Sequence, residues 1–149
     1  MKIFDKIEKW AKLFGLPVNT EKKFPSLTDI EFCLELIDEE KEELTTAIVE
    51  QNLTEAQDAL GDLLWVTVRM MNYFGIDPHK TMEAIYQSNM SKSDSNWDDA
   101  ELTKNKYLKQ GILTFQEAHT VDGETRICTY RKSDGKLLKS INFIKPKFD

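Results

Sequence analysis

The stretch LIDEEKEEL, Leu36 to Leu44, places five carboxylates in six residues, and DALGDLLWV, Asp58 to Val66, then sets a lone Asp62 inside the most apolar run of the chain. Both segments read as helices. Residues three and four apart share a helical face, so Glu39 falls beside Glu43, Glu40 beside Glu43, and Asp58 beside Asp62. Like charges at that spacing destabilise a helix by roughly 0.2–0.5 kcal/mol per pair, so helix formation itself does not favour them. A solvated face accounts for the acidic run taken alone. Asp62 asks for more, because its helical neighbours are Ala59, Trp65 and Val66. An aspartate in such a stripe is expected to face the bundle or its edge, where an unpaired charge is costly.

Two readings of Asp62 stay open. One is a salt bridge to a lysine from another helix; Arg69, two turns away, is too far for direct contact. The other is a metal site. The short connection around Asn52 implies antiparallel packing, which brings Glu40 and Glu43 opposite Asp58 and Asp62. Carboxylates without histidine or thiolate suit a hard cation such as Mg²⁺ or Mn²⁺. A di-iron centre of the ferritin kind needs Glu-x-x-His on two helices, and neither His79 nor His119 supplies it.

Working outward, Ile3, Phe4, Ile7, Trp10, Ala11 and Phe14 recur at helical spacing before Gly15, giving a first helix. The second starts at a cap at Ser26 or Thr28 and runs to about Gln51. Thr54 and Gln57 have capping-box spacing for the third, which ends at Phe74 with Gly75 beyond. Asp77-Pro78 opens a fourth, through Tyr86 to about Met90. DSNWDDAELTKNKYLKQG, Asp94 to Gly111, reads as a loop and a short polar helix. Beyond it, LTFQEAHT, TRICTYRK and KLLKSINF, separated by Asp122-Gly123 and Ser133-Asp134-Gly135, predict a three-stranded antiparallel meander. The expected architecture is mainly α: a four- to five-helix bundle over residues 1–110 with a small β appendage over 111–149. Trp10, Phe14, Trp65 and Tyr86 read as core by spacing, and His79 as surface.

The 149 residues, 40% hydrophobic, suffice for one ordinary domain with a core. Net charge is −6, and the residues from Arg131 onward are basic, so the body is strongly acidic. Such a body is a poor partner for a nucleic-acid polymer, which binds through Lys and Arg. Cys33 and Cys128, 95 residues apart, form no zinc or disulfide framework and read as reduced thiols. The N-terminal residues lack an apolar h-region and no run approaches 18 apolar residues, so a cytoplasmic protein with no membrane partner is expected.

Glu39-Glu40-x-x-Glu43 followed by D-A-L-G-D-L-L resembles the all-α nucleoside triphosphate pyrophosphohydrolases of the MazG and phosphoribosyl-ATP pyrophosphohydrolase-like superfamily. KWAKLFGLPV is similar to that superfamily's first helix, SNMSK (Ser88 to Lys92) to the end of its fourth, and SDGKLLK with INFIKP to its C-terminal segment. The resemblance covers about residues 7–92 and 131–146. It implies Mg²⁺-dependent hydrolysis of a nucleotide, often a deoxynucleoside triphosphate, to the monophosphate and pyrophosphate. It also implies metal binding by Glu40, Glu43 and Asp62, with Glu39 a ligand, a supporting residue or the base that activates water. Asn89 and Lys92 match positions that reach the substrate, and Lys136 and Lys139 are candidates for phosphate contact.

This chain departs from the pattern twice. Much of the superfamily carries E-x-x-D in its second motif, which requires an acid at Ala59; here the partner acid is Asp58, which could take the ligand role. Several relatives have a histidine after the first helix's aromatic, where this chain has Ala11. The alternative to an enzyme is a non-catalytic module that binds a nucleotide or a protein on the same helices, and a weaker one is a structural helical protein with a solvated acidic face. The apolar third helix further suggests a homodimer or homotetramer.

Overall fold

The computed structural model describes residues 2–148. Among them, five helices precede a two-stranded antiparallel sheet: α1 (Ile3–Leu13), α2 (Leu27–Val49), α3 (Leu53–Phe74), α4 (Pro78–Met90), α5 (Trp97–Leu108), β1 (Thr114–Val121) and β2 (Glu124–Arg131). The backbone divides into two compact units, one ending at His79 and one beginning at Lys80.

In the first unit, α2 and α3 form the principal helix pair and α1 packs on α3. Ser26 caps α2 by accepting from the Asp29 N–H at 3.1 Å. The helix ends in a six-to-one bond from the Asn52 N–H to the Ala47 carbonyl, with Gln51 in the left-handed region at φ 54°. That tight reversal delivers α3 two residues earlier than the Thr54–Gln57 spacing suggests. Asn52 is the cap, its side chain accepting from the Glu55 N–H at 3.3 Å. Both residue types cap well, so the sequence alone did not separate them.

The seam between α2 and α3 follows from burial. On α2, Cys33 and Ala47 are buried and Leu36, Ile37, Glu40 and Leu44 are half-buried, a spacing of three and four that defines one face. On α3, Ala59, Leu63, Val66, Met70 and Tyr73 form the matching stripe. α1 contributes Ile7 and Ala11, one turn apart and both buried. The loop after α1 is stitched to the end of α3 by bonds from the Asn19 and Lys23 N–H groups to the Asn72 and Phe74 carbonyls. Gly75 closes α3 with φ 65°, and a Cβ there would stand 2.1 Å from the Glu21 carbonyl oxygen. Asp77 accepts from the His79 N–H at 2.8 Å and so caps α4 ahead of Pro78.

Three expectations need correction here. Phe14 lies past the last turn of α1 and is 66% exposed, stacking on the outer side of Trp10 at 4.8 Å. Tyr86 is also exposed, because α4 buries its face at Ser88 instead. His79 is half-buried, not simply surface: its ring nitrogen lies 2.7 Å from the Asp5 carboxylate and its ring meets Phe4 edge-on.

In the second unit, Asn96 caps α5 by accepting from the Asp99 N–H at 2.9 Å. Ala100, Thr103 and Tyr107 bury the helix against the hairpin, whose inward residues are Ile127 and Thr129. The hairpin turns on Asp122-Gly123, with φ 51° and 81°, the two positive values that a tight primed turn requires. The expected third strand does not form. Asp94 bridges Ile127 on the free side of β2, and only Leu137 makes a second bridge, to Tyr130. With that edge occupied, the chain leaves the sheet at Ser140, whose N–H bonds the Lys92 carbonyl and whose hydroxyl donates to the buried Asp94 carboxylate. Cys33 and Cys128 are both free thiols.

Candidate functional site

The acids expected to form a site lie in the first unit, on α2 and α3. Glu40 occupies the apolar seam: it falls three or four residues from Leu36, Ile37 and Leu44, and its Oε2 is buried with no hydrogen-bond partner among the described residues. Burial holds its carboxyl above the ordinary range, and repulsion from Asp62, Glu43, Glu39 and Asp58 adds to that in decreasing order. The helix pair therefore brings all five carboxylates into one negative field, around the one member with a buried carboxylate oxygen.

Of the two positions its neighbours suggested, the bundle and its edge, Asp62 takes the edge. It is exposed, as are Asp58, Glu39 and Glu43. The α3 stripe that enters the seam runs through Ala59 and Leu63, which places Asp58 and Asp62 on its solvent border. Among the described residues, no lysine or arginine pairs with Glu39, Glu40, Glu43, Asp58 or Asp62; in the acidic run only Asp38 is paired, to Lys41 at 2.6 Å. The salt bridge entertained for Asp62 is absent among those residues. Arg69 is buried as well, its guanidinium 5.4 Å from the Trp10 ring and 5.2 Å from the Tyr73 ring.

Asp58 and Asp62 line a polar groove of about 400 Å³ together with Thr54, Glu55, Gln57 and Gly61. Nothing lies within 4 Å of the place a Gly61 Cβ would take, so the groove is open above the backbone. Ala59 is 2% exposed. An acid there, as the resembling pattern asks, would enter the seam beside Glu40; in this chain the flanking Asp58 is the acid that remains outside it.

The acids have the chemistry to hold a divalent cation. The donors are all carboxylate oxygens, one of them buried and unpartnered, which matches the demands of a hard ion. Among the described residues, no three His, Cys, Asp or Glu side chains converge as a ready coordination shell. Ligation thus needs rotation of side chains, for which Glu43, Asp58 and Asp62 are free because they are exposed. The chemistry fits, on backbone positions already set by the helix pair.

The four expected substrate-binding residues lie in the second unit. Lys92 donates to the Asn89 side-chain oxygen at 2.7 Å across the last turn of α4. Lys136 follows the Gly135 turn and is exposed, and the Lys139 ammonium rests 4.2 Å from the centre of the Phe143 ring. Sequence reasoning put the burial on the wrong acid. The signal that identifies Glu40 is the recurrence of Cys33, Leu36, Ile37, Leu44 and Ala47 around it, which the charge run obscures. No helix among the described residues is long and apolar enough to cross a membrane.

An uncharacterized protein of Acanthamoeba polyphaga mimivirus is 33% identical over 100 residues, which cover 63% of this chain and 40% of that protein. This chain thus aligns with well under two thirds of that relative's length. The family model for phosphoribosyl-ATP pyrophosphohydrolase matches residues 7–89, more than half of the chain and all of the helical segment that carries Glu40, Glu43, Asp58 and Asp62. With its acids carried on the helix pair inside that match, the chain belongs to the phosphoribosyl-ATP pyrophosphohydrolase family.

Proposed function

We propose that the chain is a divalent-metal-dependent nucleotide pyrophosphohydrolase that cleaves a nucleoside triphosphate, most suitably a deoxynucleotide, to its monophosphate and pyrophosphate in the cytoplasm. The observation that carries this reading is the buried, unpartnered oxygen of Glu40 inside a field of four further carboxylates with no pairing cation among the described residues. Glu40, Glu43, Asp58 and Asp62 would hold Mg²⁺, or Mn²⁺ in its place. A cation bound there supplies neutralising charge to phosphate oxygens.

The chain's own groups do the rest. Glu39 is exposed beside the seam and accepts the proton of the attacking water as the anhydride between the α and β phosphates breaks. Asn89, Lys92, Lys136 and Lys139 donate to the substrate, the lysines as point charges toward phosphate. Trp10, half-buried between Phe14 and Trp65, offers an aromatic face of the kind that stacks on a base.

A panel of canonical and modified nucleotides, read out as pyrophosphate release with Mg²⁺, tests the reading. Turnover of at least one nucleotide is expected, falling by about 10²-fold or more in Glu39→Gln. Silence across the panel would leave the proposal without support. A second reading, a nucleotide-binding module without turnover, draws on the alanine at position 59. Calorimetry that finds nucleotide binding unaffected by Glu43→Gln, with no hydrolysis, would favour it.

The assembly we propose is a homodimer or homotetramer. Leu53, Leu60 and Leu64 of α3 are 83%, 55% and 51% exposed, and Leu27, Leu34, Ile48 and Val49 of α2 are exposed too. Apolar surface of this extent on two long helices is what a second copy would cover. Sedimentation as a monomer would contradict it.

A further inference from the structure

A second concave site lies wholly within the second unit. α4 contributes Ala84, Gln87, Ser88 and Met90, and Ser91 follows it; β2 contributes Arg126; and the segment Ile144 to Lys147 closes it around about 370 Å³. That volume is in the range of small-ligand pockets. Its construction is specific. The Ser91 hydroxyl donates to the Ser88 carbonyl at 2.7 Å and accepts from the Ile144 N–H at 2.9 Å, which tacks the C-terminal segment to α4 and seats Lys145 and Lys147 at the rim. Arg126 is held across from them by its bond to Glu124 at 2.7 Å.

The charge balance selects the ligand. Glu124 offsets Arg126, while Lys145 and Lys147 make no ion pair among the described residues, so the rim keeps two uncompensated cations. Gln87 points its amide NH₂ at Glu83, leaving its carbonyl oxygen as an acceptor. Between these polar groups, Ala84, Met90, Ile144 and Pro146 present an apolar floor. A guanidinium and two ammonium groups favour a phosphate, and an apolar floor with an amide acceptor favours a flat ring bearing a donor.

We propose that this pocket binds a mononucleotide-class phosphate monoester, independently of the acids on α2 and α3. Arg126 and Lys147 lie outside both the matched segment and the stretches that carry the resemblance. Gln87 and Ser88 lie inside the matched segment, so the pocket joins that segment's end to charges supplied from beyond it.

Amide NMR spectra of the full chain in EDTA test this, because removing divalent cations silences the metal-dependent site while leaving an ammonium-lined pocket competent. Adenosine 5′-monophosphate is expected to shift the amides of Ser91, Ile144 and Lys145 and the Arg126 side-chain Nε–H signal. Inorganic phosphate should reach the same signals at least about tenfold more weakly, adenosine should leave them unmoved, and added salt should weaken the binding. The double substitution Lys145→Gln, Lys147→Gln should weaken adenosine monophosphate binding by at least about tenfold, with the dispersed spectrum of a folded chain retained, and Arg126→Gln should weaken it as well. Absence of shifts, shifts confined to other residues, equal binding by phosphate or adenosine, or unchanged affinity in the lysine variant would each overturn the proposal.

Discussion

Asp62 on α3 raises the proton affinity of Glu40 on α2, adding to the larger effect of Glu40's own burial. Two acids from different helices are thus held in mutual repulsion at the place where the seam meets solvent. Nothing in helix packing requires this, since an apolar residue at position 40 would complete the stripe of Leu36, Ile37 and Leu44.

The repulsion has a pH signature. A carboxyl whose folded pKa lies above the ordinary glutamate value of 4.5 binds its proton more tightly in the native state. Stability is therefore lost as pH rises from below that value through the folded pKa. Glu40→Gln should stabilise the metal-free protein at pH 7 by about 0.5–1 kcal/mol, and the gain should vanish below pH ~4.5. Urea denaturation at pH 7 and pH 4 in EDTA measures both; a less stable variant at pH 7 would contradict the burial argument.

Two glycines of α3 and its end should respond in opposite directions. Gly75→Ala forces a side chain onto φ 65° and into the Glu21 carbonyl oxygen, and should cost about 2–4 kcal/mol. Gly61→Ala meets no neighbour in the helix interior and should add about 0.5–1 kcal/mol. Thermal denaturation of the pair checks the assignment, and a destabilising Gly61→Ala would mean that the groove above it is occupied in the folded protein.

The Asp5 carboxylate is held below the ordinary aspartate value of 3.8, chiefly by the hydrogen bond to His79. A depressed carboxylate contributes stability that is present above pH ~3.8 and lost as pH falls through the folded value. In NMR titrations, His79→Ala should bring the Asp5 pKa back up toward 3.8. An Asp5 titration unchanged by that substitution would remove the link between the start of α4 and the first turn of α1.

Asp94 is 2% exposed, with one oxygen accepting from Ser140 and the other buried without a partner among the described residues. Asp94→Ala strands the Ser140 hydroxyl and should cost about 1–3 kcal/mol. Asp94→Asn keeps the acceptor and removes a buried charge, so it should be close to neutral in urea denaturation.

Much of the fold was legible wherever local chemistry decides the backbone. Ser26, Gly75, Asp77-Pro78 and Asp122-Gly123 each punctuate the chain where their residue types require. What escaped depends on partners distant in sequence. His79 meets a residue 74 positions away, and the third strand is lost because Asp94 claims the edge of β2 from 33 residues upstream. At the acids, the sequence identified the cluster, while the register of the helix pair decides which member is buried. That register is set by Ala59 and Leu63 packing inward, which turns Asp62 outward and leaves Glu40 in the seam.

Manganese-induced broadening of amide NMR signals tests the central claim most directly, because a paramagnetic ion marks only the residues that surround it. Substoichiometric Mn²⁺ should broaden the signals around Glu40, Glu43, Asp58 and Asp62 together, Mg²⁺ should reverse the effect, and Glu43→Gln should weaken it by about tenfold or more. Broadening confined to one helix, or located away from these four residues, would contradict a shared cation site on α2 and α3.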